Sequence, residues 1–421
     1  MKRFVSFLCA VALCFGCLGF FGCSADRSEI LKVYMPGEYF DPEMYDAFEV
    51  WYQAQTGKKI EVMEITFETN EELFVKVEKS KADYDLLCPS DYMAEQLIAH
   101  GLVQKIDKDM IPTEALIRPE YLEVARVYDP ELLYSVPYMY GTFGIMYDYS
   151  KIGYHIDSWD ALFDADAPFK GKWTQKKSVR EAYSSACIYA AREELSKLSD
   201  GFTNYDEAYK KRIQEIFEDE SESTIATAKA VLKAQKKRLL KYEVDDGKFG
   251  LANGSLNGVG GLNWSCDAGY VMADYEDDDG KEAEGNRNLW YVIPKEGGNV
   301  YMDTFVISKY AGNPTAAQMF LQFVCTAEVP DPSGAEGDTI LVPVANSYYA
   351  GAVSPVTEAY DYLYEEYAED DEFFEGTEAG WKEMYMDMMF PSAETLMRCG
   401  VMKMYKQNSS KINLMFADIV G

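Results

Sequence analysis

Histidine is almost missing from this chain. Its 421 residues hold only His100 and His155, too few for a multi-histidine metal site and a poor supply for a histidine-dependent catalytic triad. No Gly-x-Ser-x-Gly pentapeptide occurs, so the nucleophile turn of many extracellular hydrolases has no counterpart. Basic residues are also scarce. Lys and Arg number 40 against 71 Asp and Glu, for a formal net charge of −31. A nucleic-acid partner needs a basic surface to neutralise phosphates, so that class is disfavoured. The cysteines beyond the leader contain no Cys-x-x-Cys pair. Four of the nine lie at positions 9, 14, 17 and 23, and the other five (Cys88, Cys187, Cys266, Cys325, Cys399) are scattered and odd in number. Neither a zinc cluster nor a redox pair is signalled, and buried apolar packing is the expected role. Gly258-Val259-Gly260-Gly261 is not followed by Gly-Lys-Ser/Thr, so it makes no phosphate loop. No internal repeat is present.

Apolar residues make up 48% of the chain and aromatics 14%, enough for large cores, so global disorder is excluded and two lobes of ordinary size are affordable in length. The first residues read as a targeting segment. Lys2 and Arg3 precede an apolar run from Phe4 to Phe21, which ends at Gly22-Cys23-Ser24. A small residue directly before a cysteine resembles the bacterial lipoprotein processing site. The expectation is a signal peptide over 1–22, a lipidated Cys23 and a tether over 23–29. The competing reading is an uncleaved membrane anchor. Both place the bulk of the chain outside the cytoplasm on a membrane tether.

The element pattern is α/β. Ile30–Tyr34 and Ile60–Ile65 read as strands, with a helix over Pro42–Thr56 between them and another capped by Thr69 or Asn70. Tyr84–Cys88 is a third strand. Pro89 stops it, and Ser90 or Asp91 starts a helix. This β-α-β-α-β series predicts an open, mostly parallel sheet, whose ligands sit beyond the carboxyl ends of the strands. Tyr134–Asp148 is expected as a strand pair, Phe169–Trp173 as a strand, and a helix capped by Ser178 follows. Lys197–Leu240 reads as charged helix. Asn253–Ala268 reads as helix tail, Gly-rich turn and strand. Tyr275–Asn288 is a polar acidic loop without EF-hand spacing. Leu289–Ser308 is a strand region, and Asn313 and Pro314 open a helix.

Several of these stretches carry a resemblance. Tyr84–Tyr92 (YDLLCPSDY), Gly101–Asp107 (GLVQKID), Tyr134–Gly141 (YSVPYMYG) and Pro294–Gly298 (PKEGG) with Tyr301-x-Asp303 are similar to the spermidine/putrescine-binding proteins of polyamine ABC transporters. The resemblance implies a two-lobed periplasmic-binding-protein fold, each lobe an open mixed sheet flanked by helices, with a hinge between. The lobes would be 30–141 with 303–345, and 142–302 with 346–421, crossing near Gly141 and Asp303. It implies a polyamine ligand, an ABC permease as partner, no cofactor, no catalysed reaction and a monomer anchored on the outer side of the membrane.

Carried over residue by residue, the ligand site falls on Tyr39, Ser90, Tyr92, Glu181, Trp264, Asp267, Tyr301 and Asp303. The inventory suits the chemistry: carboxylates receive ammonium hydrogens and aromatic faces line methylenes and attract the cation. Asp303 is the sharpest of these, because an acid inside the strand-like run Val300–Ser308 has to be paired or ligand-facing. Three departures stand out. Pro36 and Gly37 replace an aromatic and a hydroxyl residue, Ser178 stands where spermidine binders place an acid, and Leu341 falls where a tyrosine is usual. Asp267 follows the putrescine-type pattern instead. Alternatives are the same fold with a ferric ion or another organic cation, and, more distantly, an extracellular hydrolase.

Overall fold

The structure, a computed structural model, describes residues 26–244, 247–276, 281–332, 334–335 and 337–421. The leader, Cys23 and the centre of the acidic loop lie outside the described residues. Eleven strands among the described residues form one sheet. Its order is Glu61–Phe67, Ile30–Pro36, Leu86–Leu87, Gly298–Ser308, Ser135–Asp148, Gly260–Trp264, Trp173–Lys176, Leu239–Glu243. The first three strands are mutually parallel, as are the last three. Between these two parallel blocks stands one antiparallel pair, here termed the outbound strand Ser135–Asp148 and the return strand Gly298–Ser308. Leu289–Val292 pairs with the outbound strand, and Val103–Gln104 and Cys399–Gly400 pair with the return strand.

Local chemistry sets the elements of the first block. Asp41 caps helix Pro42–Thr56, accepting from the Glu43 N–H at 2.9 Å, and Gly57 ends it at φ 72°. Phe48 on its inner face is fully buried against Phe320 and Phe323 of helix Pro314–Thr326. Thr69, not Asn70, caps helix Asn70–Glu78. Asn313 caps Pro314–Thr326 as expected.

Four expectations change. Tyr134–Asp148 is not a strand pair but a single 14-residue strand, buried along its whole length. Its glycines do not turn the chain; they let neighbouring rings cross it. A Cβ on Gly141 would sit 2.2 Å from the Tyr301 hydroxyl oxygen. The strand expected at Phe169–Trp173 runs instead over Trp173–Lys176, because Phe169 lies at φ 61°, outside the extended region. The helix expected across Lys197–Leu240 is broken at Leu198, where Asp200, Gly201 and Phe202 all take positive φ, and resumes as Glu207–Glu218 and Glu222–Lys236 before the strand Leu239–Glu243. The strand at the end of 253–268 stops at Trp264, and Ser265–Met272 is helix.

The candidate ligand cleft

The site is centred on the return strand, where its ladder with the outbound strand slips. Asp303 faces Met139 and Thr304 faces Pro137, so Tyr138 is an extra residue bulged out of the outbound strand. Pro137 has no N–H to offer and is tolerated beside this interruption. The Tyr138 hydroxyl donates to the Tyr39 carbonyl at 2.7 Å. That bond, with an edge-on ring contact at 5.6 Å, fixes Tyr39.

Tyr39 in turn donates its hydroxyl to Asp303 Oδ2 at 2.8 Å, and Ser90 Oγ donates to Asp303 Oδ1 at 2.7 Å. Ser90 stands at the N-cap of helix Asp91–Ala99 but makes no side-chain cap bond, since its hydroxyl is turned to Asp303. Asn70 holds it there, accepting from the Ser90 N–H and donating to its Oγ, both at 3.1 Å. Thus each Asp303 oxygen has one neutral donor. Among the described residues no ammonium or guanidinium pairs with it. Burial pushes its carboxyl above the usual value, while the Ser90 and Tyr39 hydroxyls act in the other direction.

A second acid lies behind it. Asp91 is fully buried; its Oδ1 accepts from the Tyr92 N–H at 2.6 Å, and its Oδ2 has no hydrogen-bond partner among the described residues. Burial pushes Asp91 well up, and the nearby Asp303 charge adds to this. The backbone at Met302 and the Arg180 charge act on Asp91 in the other direction.

Tyr301 leans across Gly141, two residues from Asp303 on the same strand face, and donates to Cys266 Sγ at 3.2 Å. Burial raises its phenol well above the ordinary value, with the Cys266 and Asp303 charges adding. Through Cys266 the chain of contacts reaches helix Ser265–Met272 and Asp267.

The Asp267 end already holds cations. Asp267 accepts from Lys176 Nζ at 2.7 Å and from Lys248 Nζ at 2.8 Å. The Lys176 ammonium lies 4.2 Å from the centre of the Trp264 ring. Burial alone would raise Asp267, but the two lysines outweigh it and hold the carboxyl below its usual range. The remaining pair is similar. Arg180 lies 3.5 Å over Tyr92 and 4.5 Å over Tyr405. Glu181, also buried, accepts from the hydroxyl of Ser178, another helix-opening serine whose side chain makes no backbone cap.

The structure therefore brings Tyr39, Ser90 and Asp303 into one network. Tyr301 links them to the Trp264–Asp267 end, and Tyr92 and Glu181 flank Arg180. Sequence reasoning did not find Asn70, Asp91, Tyr138, Lys176, Arg180 or Lys248. Asp91 could have been flagged as an acid directly after Ser90. Lys176 and Asp267 are 91 residues apart, and no local pattern announces such a pairing.

Comparison with known proteins agrees with this architecture. The family profile described as bacterial extracellular solute-binding protein matches residues 43–361. The putrescine-binding periplasmic protein PotF of Escherichia coli is 24% identical over 317 residues, 73% of this chain and 76% of that protein. The putrescine-binding periplasmic protein SpuD of Pseudomonas aeruginosa is 26% identical, over 78% and 82%. Among solved structures, the spermidine/putrescine ABC transporter substrate-binding protein PotD of Streptococcus pneumoniae superposes with a TM-score of 0.65 at 22% identity, covering 93% of this chain and 98% of that one. The fold is accordingly the two-lobed α/β arrangement, its two parallel blocks joined through the outbound and return strands. This chain belongs to the bacterial extracellular solute-binding protein family.

Proposed function

We propose that this protein captures an amine of the polyamine type between its lobes and presents it to the permease of an ABC importer, without catalysing a reaction. The observation that carries this reading is Asp303: a buried carboxylate with both oxygens held by neutral hydroxyls, no cation paired with it among the described residues, and Tyr39 and Tyr301 beside it. Such a group is prepared for an incoming ammonium, which forms charge-assisted bonds stronger than those the hydroxyls make. Relatives with 73–82% coverage bear the names of putrescine-binding periplasmic proteins, which supports the ligand class and an extracytoplasmic location.

In this reading Tyr39, Ser90, Tyr92, Glu181, Trp264, Asp267, Tyr301 and Asp303 face the ligand cleft. The lobes are 30–141 with 303–345 and 142–302 with 346–421, and they close by a hinge motion about the two crossing strands. The protein acts as a monomer, its signal peptide removed and Cys23 lipidated. The similarly folded TpPotD of Treponema pallidum, at a TM-score of 0.64, is named a lipoprotein.

The test is a calorimetric titration of the purified protein against diamines, spermidine, spermine, their mono-acylated forms and amino acids. Binding by at least one of the diamines, polyamines or their mono-acylated forms, tighter than by any amino acid, is the expected result. A panel in which no primary amine binds refutes the reading.

A further inference from the structure

Helix Ser265–Met272 borders two spaces. Asp267 meets Lys176 and Lys248, while Gly269, Tyr270 and the following Ala273 line a separate cavity of about 420 Å³, a volume typical of small-molecule sites. None of Tyr39, Ser90, Tyr92 and Asp303 borders it. Helix Trp381–Met389 supplies Tyr385 and Met389 to its wall. Gly269 permits that close approach, since a Cβ there would lie 2.9 Å from the Met389 sulfur. Helices Val342–Ala350 and Thr357–Glu369 add Tyr348, Tyr349 and Tyr367, and the paired strands Tyr275–Glu276 and Glu282–Ala283 complete the lining. Tyr367, Tyr385 and Met389 lie beyond residue 361, where the family profile ends. Part of this wall therefore belongs to the chain's own C-terminal segment.

The lining is of two kinds. Rings make up most of it: the centroids of Tyr270 and Tyr275 are 5.9 Å apart, those of Tyr367 and Tyr385 are 6.0 Å apart, and Tyr275 and Tyr385 are buried. The Tyr348 hydroxyl donates to Glu366. Carboxylates make up the rest. Asp274, Glu282 and Glu284 all line the cavity and are all exposed, and no lysine or arginine lines it among the described residues. Tyr349 is 40% exposed. Burial raises its phenol, and the charges of Glu38, Glu64 and Asp41, acids of the first parallel block, add to this. Lys248 comes within 5.4 Å of the Tyr270 ring centre but is bonded to Asp267.

We propose that this cavity is a second ligand site, separate from the cleft at Asp303, and that it takes an alkylated ammonium cation of the tertiary or quaternary class. Six tyrosines line it, and aromatic boxes of this kind attract a cation through the negative faces of their rings. The exposed carboxylates draw a cation toward the opening by their field without offering it a buried partner. That division selects the ligand. A primary ammonium carries three N–H donors, and entering among rings strips their water while the acids that could accept them stay outside. An alkylated ammonium has one such donor or none, spreads its charge over its methyl groups and presents those methyls to the rings. The site does not depend on the reading of Asp303 as an amine anchor.

The test is calorimetric titration of the full mature protein at low salt with choline and with dimethylbutanol, its uncharged isostere in which carbon replaces the nitrogen. The wild type binds choline with a Kd below about 1 mM and the isostere at least about tenfold more weakly. Asp303→Asn leaves the choline affinity within about twofold of wild type. Tyr349→Ala, and Glu282→Gln combined with Glu284→Gln, each weaken choline by about fivefold or more, the effect of one ring contact or of two rim charges. All three altered residues are exposed, so these variants keep the fold, which thermal melting verifies. No choline binding below that Kd overturns the inference, and so does an isostere that binds as well as choline, because the cavity is then only an apolar hollow. Choline affinity that falls in Asp303→Asn, or that neither rim variant alters, places the cation elsewhere and overturns it too. Diamine binding that persists while choline fails overturns this inference alone, and choline binding without any amine in the cleft overturns only the reading of Asp303.

Discussion

Replacing Asp303 with Asn removes one charge and almost no volume. In the unliganded protein the carboxylate is held by the Tyr39 hydroxyl at 2.8 Å and the Ser90 hydroxyl at 2.7 Å. Asn offers one oxygen that still accepts and one NH₂ that donates, so one hydroxyl has to turn its proton away and become an acceptor, which a hydroxyl can do. Exchanging one such bond alters stability by about 0.5–1.5 kcal/mol. The loss is offset because the fold no longer buries a charge without a counter-ion. The melting temperature of the empty protein should therefore barely move. Ligand binding should respond differently. Taking one member from a desolvated charge pair costs about 2–5 kcal/mol. Even the lower bound corresponds to about a 30-fold weaker affinity, since about 1.4 kcal/mol is a factor of ten. Calorimetry with the best ligand of the screen, run beside thermal melting of the same Asp303→Asn sample, separates the two effects. An affinity within about threefold of wild type would refute the anchor role, whatever the melting curve does.

Further outcomes can be checked beside this one. Because burial raises Asp303, amine affinity should fall as pH drops from neutrality into a range above that of an ordinary aspartate; the slope should vanish in Asp303→Asn, and titrations in buffers of different ionisation enthalpy should show proton release on binding. The stability signs of the two acids are opposite. The raised Asp303 stabilises the empty fold at low pH, a contribution lost as pH rises through its folded value, whereas the lowered Asp267 stabilises above its unfolded value and loses this as pH falls through its folded one. Asp267→Asn removes the carboxylate that Lys176 and Lys248 share and should destabilise by about 3–5 kcal/mol in urea unfolding; a change under about 1 kcal/mol would show the pairs to be solvent-screened. Gly141→Ala drives a methyl group into the Tyr301 ring and should cost about 1–3 kcal/mol in the same assay together with amine affinity, while wild-type values for both would mean the ring can swing aside freely. Mass spectrometry of the membrane fraction should find a lipid-modified N-terminal Cys23, and an intact peptide spanning residues 10–30 would exclude it.

Much of the fold was legible because it is written in short-range chemistry. The strand-turn-helix at Tyr84–Tyr92 and the cap residues Thr69 and Asn313 each carry their signals within a few residues. Where the reading slipped, a backbone state without a local signature decided the outcome. Phe169 at positive φ displaced a strand, and positive φ at Asp200–Phe202 cut a helix. The site divided along the same line. Asp303 stands out in sequence because an acid is out of place in Val300–Ser308. The lysines at Asp267 do not, because Lys176 and Lys248 look like surface residues until tertiary structure carries them inward. An acid's partner is a property of the fold, and a single sequence reveals the acid alone.

The bulged Tyr138 has a consequence for anyone who would recombine this protein with its kin. Side chains on a strand alternate faces, so one extra residue acts as a frameshift: positions before and after Tyr138 follow opposite odd-even rules for which side of the sheet they cover. The outbound strand thus runs in two reading frames, and the residue that changes the frame is also the one whose hydroxyl seats Tyr39. A chimera joined inside 135–148 with a partner lacking the bulge would exchange which side chains pack on each face of a strand that is buried along its whole length. Interchangeable modules of this protein are bounded by the ends of its two crossing strands, and those strands have to be exchanged as a pair.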